Sequence, residues 1–245
     1  MGRPRPVHAG GLLWIIAADA PFSQYGPEHI ERGLRNLSWV SERALAHEAV
    51  VEFFARGAPT IPMKLFTLFS TDARAVAHIR KRRESLQRVF RRIAGRQEWG
   101  VRVYFDPATA LASPESRVPR DRRARSRPQA ARQAAQAESG TLFLLRKQEE
   151  QTRLSRSLRQ ARVDAGRIFR QLADHAAAVR RHGPHPGEGR TTILLDAAFL
   201  VDAGKAGRFR RLAEGVGARL AGGGCHLTLT GPWPAYNFVS VRGRA

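Results

Sequence analysis

Apolar residues fall along this chain in patterns that alternate between helix and strand periods. Leu12 to Ala18 is a continuous apolar run containing Ile15 and Ile16, which predicts a buried strand. Turn chemistry follows from Pro21 to Pro27, and then a short helix from Glu28 to Leu37. Val40, Ala44, His47, Val51 and Phe54 recur at steps of four and three, the stripe of an amphipathic helix, with Ser38 as its candidate N-cap and Gly57 as its stop. Thr60 to Phe69 carries Ile61, Leu65, Phe66, Leu68 and Phe69 and predicts a strand with Pro62 near its start or edge. Thr71 caps a further helix whose apolar face is Val76, Ile79, Leu86, Phe90 and Ile93, ended by Gly95. Trp99, Val101, Val103 and Phe105 alternate with polar or small residues, as a half-buried strand does. The first half therefore reads β-α-α-β-α-β.

The pattern breaks between Pro107 and Ser139. This stretch has seven arginines between Arg117 and Arg132, several prolines and few apolar side chains larger than alanine. It buries too little to offset its ordering entropy, so 107–139 is expected to be a flexible Arg/Pro-rich linker and a domain boundary. Beyond it, Leu142 to Leu145 is an apolar patch. Leu154, Leu158, Ala161, Ala165, Ile168, Leu172, Ala176 and Val179 then mark a long helix ending at His182-Gly183-Pro184. The stripe has coiled-coil spacing, but its alanines favour packing against its own sheet. Thr191 to Val201 predicts a buried strand, Phe209, Leu212, Val216 and Leu220 a helix, and Leu227 with Leu229 a last strand. A Pro-Trp-Pro element and an extended segment from Tyr236 to Val241 follow. The expected fold class is α+β, in two small domains: 11–106, after a disordered leader over 1–10, and 140–245, the second ferredoxin-like.

Composition narrows the function classes. The formal charge is +21 and lysine occurs only at 64, 81, 147 and 205, so the excess is almost all arginine. Such charge raises nucleic acid as a partner. However, the Arg117–Arg132 cluster holds no aromatic side chain on which bases stack, so no specific nucleic acid is expected. A basic nucleic-acid-binding module stays the alternative reading. No apolar run approaches the ~20 residues of a membrane span. Cys225 is the single cysteine and reads as a small buried hydrophobe. The eight histidines are scattered without metal-ligand spacing, and neither a nucleophile elbow nor a phosphate-loop motif occurs. Gly222-Gly223-Gly224 follows a helix and precedes a strand, which suits a turn rather than a phosphate cradle. No catalytic, cofactor or metal residue is nominated, and no enzyme is expected.

Several segments, in order, resemble one family. Ala46-His47-Glu48-Ala49-Val50 is similar to its Ala-His-Glu-x-Val pattern, and Ile61 to Thr67 to its Leu-Pro-x-Arg-Phe-Gly-Thr segment. Gly95-Arg96-Gln97-Glu98 resembles its Gly-x-x-Glu strand start, and Asp196 to Val201 its Asn-x-Ala-Phe-Leu-Val strand. Thr230-Gly231-Pro232-Trp233-Pro234-Ala235-Tyr236-Asn237-Phe238 resembles its Thr-Gly-Pro-Trp-Pro-Pro-Tyr-Ser-Phe signature. On these residues the chain is identified as a member of the gas vesicle GvpL/GvpF family. The resemblance implies a non-enzymatic role in gas vesicle assembly, inside the cytoplasm, with the hydrophobic shell protein and other gas vesicle accessory proteins as partners. It also implies an opening strand of the Tyr-x-Tyr-Gly-Ile-Val kind. This sequence shows none: either the chain start is assigned too late, or the first domain lacks that strand and exposes a sheet edge. Candidate partner-binding or domain-packing residues are Pro232, Trp233, Pro234, Tyr236 and Phe238; weaker candidates are Lys64, Phe66, Glu98 and Trp99. Trp233 reads either as an aromatic anchor for a partner or as a packing plug. Lys64 and Glu98 are placed to pair across a sheet.

Overall fold

In the computed structural model, residues 2–112, 131–183, 191–220 and 223–239 are described, with only the backbone for 131–141. The chain forms two units: Met1–Glu98 together with Pro232–Ala245, and Trp99–Gly231.

The first unit opens with a hairpin of β1 (Arg5–Gly10) and β2 (Leu13–Ala17), paired antiparallel with Val7 opposite Ile15. This corrects two expectations, the disordered leader and the missing opening strand. Gly10 and Gly11 both take positive φ and close the turn, a conformation L side chains resist. Arg5 fastens the hairpin to the next layer through ion pairs with Asp72 at 2.7 Å and Asp19 at 3.1 Å.

Helices α1 (Phe22–Tyr25) and α2 (Pro27–Gly33) lead into α3 (Leu37–Ala55). The cap of α3 is Asn36, not Ser38: its Oδ1 accepts from the Trp39 N–H at 3.1 Å. Thr71 does cap the following helix, its Oγ1 accepting from Arg74 N–H. The single helix expected after Thr71 is two, α4 (Asp72–Lys81) and α5 (Arg83–Ile93), broken at Arg82. The strand expected over Thr60–Phe69 is absent. Pro62 offers no N–H to a ladder, and the Lys64 carbonyl accepts from both Thr67 N–H and Thr67 Oγ1, closing a turn.

The second unit is built on a four-stranded sheet ordered β4-β5-β3-β6, with β3 Arg96–Phe105, β4 Ala178–Arg181, β5 Thr192–Asp202 and β6 Cys225–Trp233. α6 (Pro107–Ala112) follows β3, capped by Asp106, which accepts from Ala108 N–H and Thr109 Oγ1. α7 (Ala131–Ala173) joins β3 to β4, and α8 (Ala206–Leu220) joins β5 to β6. This β-α-β-β-α-β order with this strand sequence is the ferredoxin-like arrangement. Trp99, Val101 and Val103 of β3 and Leu195, Ala197, Phe199 and Val201 of β5 pack on Ala165, Ile168 and Leu172 of α7 and Phe209, Ala213 and Val216 of α8. The alanine-rich stripe of α7 thus closes on its own sheet. Cys225 sits in a smaller cluster with Phe105, Ala110 and Ala161, and burial pushes its thiol pKa up, which keeps it protonated and inert.

The domain boundaries read from the sequence change accordingly. β3 belongs to the second sheet, and the Pro-Trp-Pro segment to the first unit. Of the 107–139 linker, 107–112 is α6 and 131–139 lies in α7; 113–130, with most of the arginine cluster, lies outside the described residues. α7 ends at Ala173, earlier than expected, because Ala178–Arg181 pairs antiparallel with β5.

Asp196 is the polar exception on β5. It is buried, and it accepts from Arg102 Nε at 2.9 Å and contacts His182 Nδ1 at 3.0 Å. Burial opposes its ionisation, but the His182 hydrogen bond and the Arg102 charge outweigh burial and hold its pKa below the usual carboxylate value. A depressed acid contributes stability that is present above its unfolded pKa and lost as pH falls through its folded one. Asp196→Asn is expected to cost roughly 1–3 kcal/mol near neutral pH. It is also expected to flatten the acid limb of a stability-versus-pH curve measured by urea unfolding.

Candidate functional site

Pro232 and Trp233 are the last residues of β6 and follow Gly231, whose φ of 121° only glycine adopts without strain. Pro232 and Pro234 then restrict the backbone on both sides of Trp233. A 3-10 turn, Tyr236–Phe238, follows, closed by Phe238 N–H to Ala235 O at 3.0 Å. This turn replaces the start of the extended segment expected over 236–241, of which 240–241 lie outside the described residues.

Two carboxylates hold the turn. Tyr236 Oη donates to Glu48 Oε2 at 2.5 Å. Asn237 donates twice to Glu98, from its backbone N–H at 2.8 Å and from Nδ2 at 2.6 Å. Glu98 is only 5% exposed, so its charge depends on such donors. The Phe238 carbonyl accepts from Arg92 Nη1, and the Phe238 ring is buried. Burial, and then the hydrogen bond to the Glu48 carboxylate, push the Tyr236 pKa above its ordinary value. α3 therefore supplies one jaw of a clamp through Glu48, and the start of β3 supplies the other through Glu98.

Trp233 is treated differently. Its side chain makes none of these bonds and is 43% exposed, while Ala235 and Phe238 beside it are buried. The segment thus presents the Trp233 ring beside the exposed Pro232 and is rooted through Ala235, Tyr236, Asn237 and Phe238.

The weaker candidates separate. Glu98 belongs to the clamp. Trp99, the next residue, points into the core of the second unit with its ring 6.3 Å from Phe209. Lys64 is exposed on a loop, so the strand on which a cross-sheet pair with Glu98 depended does not exist. Phe66 lies on the same loop at φ 61°, in the left-handed region. Its ring stacks on Trp39 at 5.2 Å, and Arg43 covers the Trp39 ring at 4.1 Å. Gly33 backs this stack: a Cβ there would lie 2.6 Å from the Trp39 ring.

Sequence reasoning missed Glu48 and Asn237 as site residues. Glu48 was visible only inside the Ala-His-Glu pattern, and nothing in the local sequence points it at a residue 188 positions away. Among the described residues, no group of three or more His, Cys, Asp or Glu side chains is placed to hold a metal.

A family model described as "Gas vesicle synthesis protein GvpL/GvpF" matches residues 2–240. Gas vesicle protein L from Streptomyces sp. (strain CB03234) is 28% identical over 97% of this chain and 84% of its own length. Two crystal structures share the fold at a TM-score of 0.54 and 17% identity. Gas vesicle protein GvpF from Microcystis aeruginosa is matched over 81% of this chain and 78% of that one. GvpF from Anabaena sp. PCC7120 is matched over 86% and 77%.

Two stability measurements check the site. Tyr236→Phe is expected to lower unfolding free energy by about 1–2 kcal/mol through the lost charge-assisted bond. The raised Tyr236 pKa means that its contribution is complete below the unfolded tyrosine value of about 10 and is lost as pH rises further. The variant should therefore show a shallower alkaline decline than the parent. At the loop, Phe66→Ala should be less stable than Phe66→Gly by about 1 kcal/mol, because alanine keeps the left-handed strain and glycine removes it. Equal stability of the two in denaturant titrations would show that the φ of Phe66 carries no cost.

Proposed function

This chain belongs to the GvpL/GvpF family of gas vesicle synthesis proteins, and from that premise we propose that it acts as a non-enzymatic accessory protein of gas vesicle assembly. Its partners in this reading are the hydrophobic shell protein and other gas vesicle proteins, met at the gas vesicle. The observation that carries the reading is the exposed Trp233 ring on a backbone held by two prolines and by the carboxylate clamp. A tryptophan held in this way loses little further freedom on binding, and such rigid aromatic anchors dominate the energetics of many interfaces.

Residues of four family-like segments take part in this arrangement. Glu48 comes from the Ala-His-Glu segment, Glu98 from the Gly-x-x-Glu segment and Tyr236 with Phe238 from the C-terminal signature. Phe66, from the Leu-Pro segment, supports α3 through Trp39. In this reading most signature residues are roots and Trp233 is what they present. α3 adds apolar surface of its own, since Leu37, Leu45 and Phe53 are exposed.

A co-purification of the full chain with the shell protein and with each accessory protein tests the reading. Trp233→Ala should weaken capture by about tenfold or more, measured at a temperature at which the variant's melting curve shows it folded. Failure of the parent chain to capture any gas vesicle protein sinks the proposal. Capture that survives Trp233→Ala moves the anchor elsewhere.

A further inference from the structure

The β1–β2 turn brings together two features that lie far apart in sequence. At its tip, Leu12 is 96% exposed and Trp14 is 59% exposed. His8 Nε2 lies 2.9 Å from the Gly11 carbonyl, pinning the turn, and the His8 ring lies 4.8 Å from the Trp14 ring. Beside the tip, α4 ends and α5 begins in the run Arg80-Lys81-Arg82-Arg83, all four side chains exposed. The run is held against the turn. Arg80 Nε donates to the Ala9 carbonyl at 3.3 Å, and the Arg83 guanidinium sits 2.8 Å from where a Gly11 Cβ would stand. A side chain at position 11 would push Arg83 away, so glycine there serves the close approach as well as the turn. Glu84, which follows the run, is the acidic side chain next to it in sequence.

An apolar tip flanked by a run of cations is matched to a surface that is anionic outside and apolar within. Two side chains on a hairpin tip fall far short of the ~800 Å² per partner that a stable protein interface needs. A bilayer makes no such demand. Its headgroup region takes tryptophan, its acyl boundary takes leucine, and arginine and lysine stay at the phosphates. Among the described residues, no helix is long and apolar enough to cross a membrane, so this contact would be peripheral. We propose that the β1–β2 turn is a docking tip for an anionic lipid–water interface, with Leu12 and Trp14 entering it and Arg80, Lys81, Arg82 and Arg83 binding headgroup phosphates.

Vesicle flotation of the full chain near physiological salt tests this. The vesicles are phosphatidylcholine alone, or phosphatidylcholine with roughly a quarter phosphatidylglycerol. The parent chain is expected to bind the anionic vesicles and not the neutral ones. Lys81→Gln with Arg82→Gln should weaken that binding by about 25-fold, some fivefold per lost charge. Leu12→Asp should weaken it by about tenfold or more; the side chain is exposed, so its melting temperature should match the parent's. If Leu12→Asp binds anionic vesicles as tightly as the parent, the attraction is Coulombic alone and the docking tip is refuted. Equal binding to neutral and anionic vesicles refutes the headgroup role. Binding of a single-stranded oligonucleotide that is lost with Lys81→Gln and Arg82→Gln, without vesicle binding, assigns the patch to nucleic acid instead. None of these readouts involves Trp233 or a gas vesicle protein.

Discussion

Glu98 is the residue on which the first unit turns. A carboxylate this deeply buried must be matched by donors or protonate. Asn237 supplies two of them, one from the backbone and one from the side chain, which ties the C-terminal segment back to the start of β3. Glu48 repeats the device from α3 through Tyr236. Together they explain why Pro232–Ala245 groups with Met1–Glu98 although more than a hundred residues separate the two stretches. They also explain the division of labour in the Pro-Trp-Pro element. Tyr236, Asn237 and Phe238 are consumed by attachment, and Trp233 is left free to be displayed.

The second unit is organised by a different constraint. Its sheet has a face packed by α7 and α8, and β5 in particular is nearly continuous in burial. Ala198 and Leu200, on the opposite face of β5, are as buried as Ala197 and Phe199, and a strand buried on both faces reads as an unbroken apolar run, as Thr191–Val201 does. The one ionisable group in that run, Asp196, is tolerated because Arg102 on one side and His182 on the other reach it. Where the family-like pattern has asparagine, this chain has a charge, and the neighbours that match it lie on β3 and just beyond β4.

A related exchange occurs at Phe66. The family-like pattern has glycine there, and the backbone conformation is one that favours glycine. The chain keeps the conformation and accepts a phenylalanine, whose ring joins the Trp39–Arg43 stack. Aromatic stacking of this kind contributes about as much as left-handed strain costs, each on the order of 1 kcal/mol. The substitution is therefore intelligible without any change of fold.

Helices with regular stripes, the alternating strand from Trp99 and the continuous strand after Thr191 were all legible in the sequence, because periodicity and capping are local. So was the family, because its marks are short segments in a fixed order. The strand expected over Thr60–Phe69 failed because composition does not provide a neighbouring strand, and Pro62 weakens any ladder. The hairpin at Arg5–Gly10 was hidden because its short strand is broken up by proline and arginine, and its pairing with β2 is what makes it a strand. The Pro-Trp-Pro element was readable as a signature, and Pro232 and Pro234 as stiffeners of Trp233. Which side chains anchor it and which one faces solvent depended on Glu48 and Glu98. Those carboxylates are distant in sequence, and only the folded chain brings them within hydrogen-bonding distance.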